Sequence, residues 1–187
     1  MCMCIKNAMA IAVTIMVVFA LNVNAANVAK ISKDAKLQSA LTILEQTGSE
    51  NLVNGLERHR IQVRFYDLST LSYEYARHYA MRVETQEGKQ YILINTKFEN
   101  APTEAIACLV AHEAIHNLPN ATFAEEVMAT TVEAKTWLQV RNRIAYQNST
   151  NPLVRRLERN ANRYLSSTNG ISNAIAQNAT YRKQFGL

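Results

Sequence analysis

The fold is decided by Ala105–Leu118, AIACLVAHEAIHNL, in which only His112, Glu113, His116 and the asparagine after it are polar. An apolar run of this length is typical of a helix buried in a protein core. Two histidines and a glutamate are costly to bury unless they are paired or bind a ligand. The stretch therefore predicts a buried helix over Thr103–Asn117 whose polar side chains share one partner.

His112-Glu113-Ala114-Ile115-His116 is an HExxH motif. On a helix, positions i and i+4 face the same way, so both imidazoles can reach one metal ion while Glu113 lies beside a water on that ion. The simpler alternative is a pair of hydrogen-bonded core histidines. Cys108, in the same apolar run, is interpreted as a small core residue rather than a reactive thiol.

A catalytic zinc site needs a third protein ligand as well as an open position for water. The extended pattern HExxHxxGxxH is excluded, because the chain contains no histidine after His116. An aspartate is excluded too, since Asp34 and Asp67 both precede the motif. The remaining candidates are downstream glutamates: Glu125, Glu126, Glu133 and Glu158.

The spacing of these glutamates favours Glu126. Thr122 and Glu125 form a T-x-x-E capping box, which gives Glu125 a structural function at a helix start. Glu126 begins a one-face stripe that continues through Thr130 and Glu133. Glu133 lies seven residues further on, about 10 Å along the helix, so both cannot bind one ion. Glu126 is the predicted ligand; Glu133 is kept as the alternative ligand, as an acceptor for a histidine N–H, or as a solvated charge.

The rest of the chain predicts an α+β fold. We expect a small antiparallel sheet of about three strands packed on the HExxH helix, followed by a mostly helical C-terminal half. Alternating apolar residues predict the strands, and Gln86–Lys89 predicts a turn between the second and third. The strands are expected at 61–66, 78–83 and 91–95. The helices are expected at 35–47, 50–59, 103–117, 123–147, 152–166 and 172–184, with a tight connection at Pro119 and Asn120.

The HExxH motif followed by Glu126-Val127-Met128-Ala129 resembles the small gluzincin-type zinc metallopeptidases, over roughly Tyr91–Trp137. The resemblance implies a zincin-like domain that binds Zn²⁺, hydrolyses a peptide or protein substrate and uses Glu113 as general base. It also implies that the strand Tyr91–Asn95 forms the cleft edge and pairs with the substrate. A donor for the oxyanion is expected as well, but no candidate is preferred among Tyr66, His78, Tyr146 and Tyr164.

The N-terminus has the layout of a secretory signal peptide. Lys6 is its one charge, residues 8–21 are uncharged and mostly apolar, and Val23-Asn24-Ala25 supplies small residues for cleavage after Ala25. We expect residues 1–25 to be removed and 26–187 to form a single exported domain, periplasmic or secreted. An uncleaved segment tethering the protein to a membrane is the alternative.

Charge is unevenly distributed along a chain that is 48% hydrophobic with a formal net charge of +5, a composition that excludes a disordered protein. From Lys135 onward, nine basic residues face one acid, Glu158. Four arginines cluster on one predicted helix, where they contact either an anionic polymer, lipid headgroups or an acidic substrate, or simply form a solvated face. They are Arg155, Arg156, Arg159 and Arg163.

Two functions follow from these patterns. The first is an exported zinc metallopeptidase. The alternative is a non-enzymatic exported binding protein with a structural metal or none, whose basic C-terminal helices contact anionic surfaces weakly. No nucleic-acid motif accompanies the arginines, so no nucleic-acid partner is expected. No feature of the sequence predicts an oligomeric state.

Overall fold

The computed structural model describes residues 28–117 and 121–186. The predicted signal peptide (1–25) and the predicted tight connection at Pro119 and Asn120 lie outside these residues. Within the described ranges the chain is α+β, as expected from the sequence. None of the helices in these ranges is both long and apolar enough to cross a membrane.

The elements follow one another as helices, a small sheet, and more helices. The strands are β1 (Gln62–Tyr66), β2 (Ala80–Glu84) and β3 (Gln90–Asn95). The helices are α1 (Ala35–Gln46), α2 (Glu50–Arg58), α3 (Thr103–Glu113), α4 (Phe123–Val140), α5 (Arg143–Tyr146), α6 (Pro152–Ser166), α7 (Gly170–Gln177) and α8 (Ala179–Phe185).

The sheet is mixed, so the prediction of an antiparallel sheet is wrong for one of its pairs. Its strand order is β1-β3-β2. β2 and β3 form the predicted antiparallel hairpin, but β1 runs parallel to β3, with Val63 opposite Ile92. Residues 67–79, which contain two short 3-10 turns, carry the chain from β1 to the far edge of the sheet. Because this crossover separates β1 from β2, β3 can pair between them, and it runs parallel to β1.

This strand order also corrects the predicted cleft edge. Tyr91–Asn95 belongs to β3, which is hydrogen-bonded to a strand on each side. Its central position explains why Ile92 and Ile94 are fully buried. The edge strands are β1 and β2, each paired only with β3 among the described strands, and of these two it is β2 that lies beside the histidines' cavity.

Helix α3 lies at the centre of the core and packs against α1, α4 and the sheet. Every residue from Ala105 to Glu113 is buried, including Cys108, as predicted. The helix ends earlier than expected, at Glu113. The chain then tightens, because the amides of Ile115 and His116 bond to the carbonyls of His112 and Glu113, a spacing of three residues that closes the last turn.

The C-terminal half is helical but more divided than predicted. α4 ends at Val140 because Arg141 has an extended backbone. The helix expected over 172–184 is two helices, separated at Asn178, whose side chain caps the start of α8. α4 packs against α6, and α7 packs against both, so the chain after the HExxH helix folds back over it.

Candidate metal centre

His112, His116 and Glu126 converge on one point. His112 Nε2 lies 3.5 Å from one carboxylate oxygen of Glu126, and His116 Nε2 lies 3.5 Å from the other. One ligand atom of each residue lies within 4.8 Å of the others, and all three residues are buried. The structure therefore brings together the three residues that the sequence predicts as metal ligands.

The spacing of these atoms suits a zinc ion better than direct hydrogen bonds. A hydrogen bond between nitrogen and oxygen is usually about 2.9 Å long, so 3.5 Å is too wide for a good one. Two ligand atoms about 2.05 Å from a zinc ion in tetrahedral geometry are separated by about 3.3 Å. Two imidazoles and a carboxylate are also a known donor set for catalytic zinc. The three residues thus fit the ion in chemistry and in spacing.

The start of α4 places Glu126 beside the motif. The Thr122 hydroxyl accepts a bond from the Glu125 amide, and the Glu125 carboxylate accepts one from the Thr122 amide. Glu125 also accepts a bond from the Asn117 amide, which ties the helix start to the residue after His116. The predicted capping box is confirmed, and with Glu125 so engaged the next residue, Glu126, faces the histidines.

Glu133 contacts His112 from the side away from Glu126. Its Oε2 lies 3.3 Å from His112 Nδ1 and 2.8 Å from Arg156 Nη2. Its Oε1 accepts a bond of 3.0 Å from the Asn160 amide. Burial opposes ionisation of Glu133, but the charge of Arg156 and the contact with His112 outweigh it and lower its pKa. Glu133 is therefore placed to orient His112, as one of the three predictions for it proposes, and its full burial shows that the prediction of a solvated charge is wrong.

Glu113 lies in the wall of the cavity that opens at the histidines. It is buried, and burial raises the pKa of its carboxyl, with the charge of Glu126 acting in the same direction and that of His112 opposing it. A raised pKa brings a carboxylate closer to the neutral range in which a general base works best. The environment of Glu113 is consistent with the function that the sequence predicts for it.

Tyr181, which the sequence reasoning did not consider, donates a hydrogen bond of 2.6 Å from its hydroxyl to Glu126 Oε1. It comes from α8, which is 55 residues from Glu126 in sequence. Burial and the neighbouring Glu126 carboxylate raise the pKa of the tyrosine, so its hydroxyl keeps its proton. No local spacing signals this contact, because it depends on how α8 packs against α4.

Arg82 links the edge strand to the end of the HExxH motif. It lies on β2 and donates through Nη1 to the carbonyl oxygen of His116 and through Nη2, at 2.8 Å, to Gln90 Oε1. Burial lowers the pKa of Arg82 despite the carboxylates nearby. Its bonds fix β2 next to the site, so that residues 79–82 line the cavity.

Most of the other sequence candidates lie elsewhere. Glu158 accepts bonds from Trp137 Nε1 and Arg141, so it is not near the histidines. Tyr146 donates to Glu104. Neither Tyr66 nor Tyr164 lines the cavity, whereas His78 does.

The basic cluster is not a uniformly solvated face. Arg155 is exposed, but Arg156 is folded inward against Glu133 and lies 4.7 Å from the ring centroid of Tyr79. Arg159 and Arg163 line the same cavity as Glu113. The helical period places these three arginines, three and four residues apart, on one side of α6, and that side faces the site.

Comparisons of the chain with known protein families, with curated proteins and with solved structures found no match.

Proposed function

We propose that this protein is an exported zinc metallopeptidase of gluzincin type with a zincin-like domain. The observation that supports it best is the convergence of His112 and His116 on the two oxygens of Glu126, at 3.5 Å each. This cluster lies beside Glu113 on a cavity of about 820 Å³, a volume typical of ligand-binding sites. Export is proposed from the sequence of residues 1–25.

His112, His116 and Glu126 would hold the ion, and zinc would polarise the scissile carbonyl and lower the pKa of a water. Glu113 takes the proton from the attacking water and later returns it to the leaving amine. Its burial and raised pKa favour both steps. Glu133 holds the imidazole of His112 in orientation through Nδ1.

The hydroxyl of Tyr181 is the donor that we assign to the oxyanion. It is bonded to Glu126 Oε1, the oxygen that lies 3.5 Å from His112 Nε2, and it stays protonated because its pKa is raised. A donor placed in a largely desolvated site stabilises the charge that develops on the carbonyl oxygen during attack.

The substrate binds in extended form along β2 in this proposal. β2 has a neighbour on one side only among the described strands, and residues 79–82 lie in the cavity wall. An extended peptide can therefore add to the sheet by main-chain hydrogen bonds. This assigns to β2 the function that the resemblance to gluzincin-type peptidases implied for Tyr91–Asn95.

Metal analysis combined with two substitutions tests the proposal. Wild-type protein is expected to bind about one zinc per chain, consistent with one three-ligand site. His116→Ala loses the zinc, while Glu113→Gln keeps it and loses peptide cleavage by about 10²- to 10⁴-fold. His59→Ala is the matched control, because His59 is exposed at the end of α2, and it should change neither property.

Two outcomes would contradict the proposal in different ways. A folded wild-type chain that binds no zinc when zinc is supplied removes the metal site. A wild-type chain that binds zinc through His116 but cleaves none of a broad mixture of peptides is a binding protein with a structural metal, which is the alternative function.

A further inference from the structure

The cavity at the proposed active site is lined by more cationic than anionic side chains. Three arginines come from one face of α6, one precedes β2 and one lies on β2: Arg156, Arg159, Arg163, Arg77 and Arg82. The carboxylates in the same wall are Glu74, Glu113 and Glu126. Two of these, Glu113 and Glu126, are assigned to the chemistry, which leaves the cations in excess for contact with a substrate.

Two of the arginines are already engaged within the protein. Arg156 is paired with the fully buried Glu133 at 2.8 Å. Arg82 donates to the His116 carbonyl and to Gln90. These two arginines hold the site together and are not free to bind an external anion.

The other arginines are at the mouth of the cavity. Arg77 and Arg159 are exposed, and their side chains have neither an ion pair nor a hydrogen bond within the described part of the chain. Arg163 is exposed too, and the one hydrogen bond of its guanidinium in that part is a long one, 3.4 Å to Asn160 Oδ1. Glu158, the one acid after Lys135, is bonded to Trp137 and Arg141 instead. No carboxylate on α6 therefore offsets Arg159 and Arg163.

We propose that the site selects peptides with acidic side chains, whose carboxylates bind Arg159 and Arg163 next to the scissile bond. This inference rests on the proposed peptidase function. Guanidinium groups bind carboxylates through paired, charge-assisted hydrogen bonds. A concave wall in which cations outnumber anions also concentrates anionic ligands. A peptide is favoured over a flat anionic surface because the arginines lie in a recess that also contains Glu113.

The preference for acidic peptides is tested by measuring peptide binding to the zinc-loaded full chain that carries Glu113→Gln, which binds peptides without cleaving them. The probes are two pools of random decapeptides that are identical except that fixed glutamates in one are glutamines in the other. The glutamate pool is expected to bind about tenfold more tightly, the effect of one or two charge-assisted bonds. Adding Arg159→Gln and Arg163→Gln should abolish that preference, and added salt should weaken it.

The matched control removes the same charge elsewhere. Arg58→Gln with Arg155→Gln neutralises two exposed arginines that do not line the cavity, and it should leave the preference intact. Equal binding of both pools, or an equal loss in the control pair, overturns the proposal. Because the altered side chains are exposed, the thermal unfolding midpoint is expected to stay unchanged and is measured for each variant.

Cleavage by the chain that retains Glu113 separates this inference from the one on which it rests. If neither pool is cleaved, the peptidase function fails, whereas the binding ratio still decides whether acidic peptides are preferred. If both pools are cleaved with equal kcat/KM and bound equally, the peptidase function stands and the acidic preference is wrong.

Discussion

Helix α3 and the C-terminal helices α6 and α8 both build the site, but in different ways. α3 and the turn after it supply His112, Glu113 and His116 within one HExxH motif, where the end of the helix and the tighter turn that follows bring the imidazole centroids to 5.0 Å. The C-terminal helices supply residues distant in sequence: Asn160 reaches Glu133 across 27 positions and Tyr181 reaches Glu126 across 55. Local geometry places the two histidines side by side, whereas tertiary packing orients His112 through Glu133 and brings in the hydroxyl of Tyr181.

The contact with the largest expected effect on stability is the ion pair between Arg156 and Glu133. Arg156→Met leaves the fully buried Glu133 carboxylate without its cation. Breaking a buried pair from one side usually costs about 3 to 5 kcal/mol. We expect a loss of that size in the free energy of unfolding, measured by chemical denaturation.

Two further variants show whether the unpaired charge is the cause. Arg155→Ala, an exposed neighbour on the same helix, should change stability by less than about 0.5 kcal/mol. Adding Glu133→Gln to Arg156→Met should recover part of the loss, because the buried charge is then removed. If Arg156→Met is as stable as Arg155→Ala, packing of α6 against α4 does not depend on the pair.

The next effect concerns catalysis rather than folding. Tyr181→Phe removes the one hydroxyl that is bonded to Glu126 in the described residues. Loss of an oxyanion donor usually lowers kcat by about 10²- to 10³-fold, and we expect a decrease in this range with zinc content unchanged. Steady-state kinetics and metal analysis of the same preparations measure both.

Tyr164→Phe is the control for this change, because Tyr164 lies on α6 outside the cavity lining. It should leave kcat unaltered. Two results would contradict the assignment of Tyr181: a wild-type kcat in Tyr181→Phe, or a loss of zinc in that variant. The second would make Tyr181 a positioning residue for Glu126 rather than a donor to the reacting atoms.

Sequence reasoning succeeded where the determinants are local. The capping box at Thr122 was predicted and is present, and Glu126, Thr130 and Glu133, which were predicted to share one helix face, are all buried in the structure. Those features depend on residues three or four positions apart, whose relative placement a helix fixes. The burial of Cys108 followed in the same way from the apolar run around it.

Sequence reasoning failed where a strand or a side chain has its partner far away in the sequence. Alternating residues identify a strand but not its neighbour, so the parallel pairing of β1 with β3 and the edge position of β2 were not foreseen. Arg156 was expected to contact either an external anion or solvent, because its partner within the protein, Glu133, lies on another helix. Tyr181 was missed for the same reason.

The smallest expected effect on stability comes from the cap of α4, and it tests whether this local feature or the packing of distant helices places Glu126. Thr122→Ala removes the hydroxyl that caps α4, and loss of such a cap usually costs about 1 kcal/mol. Thr131→Ala is the control, since its hydroxyl bonds back to the Val127 carbonyl within the same helix and contributes little to helix stability. Because Glu126 lies in the first turn that Thr122 caps, zinc affinity should fall in Thr122→Ala and stay unchanged in Thr131→Ala. A Thr122→Ala protein with unaltered stability and zinc affinity would mean that packing against α6 and α8, rather than the cap, places Glu126.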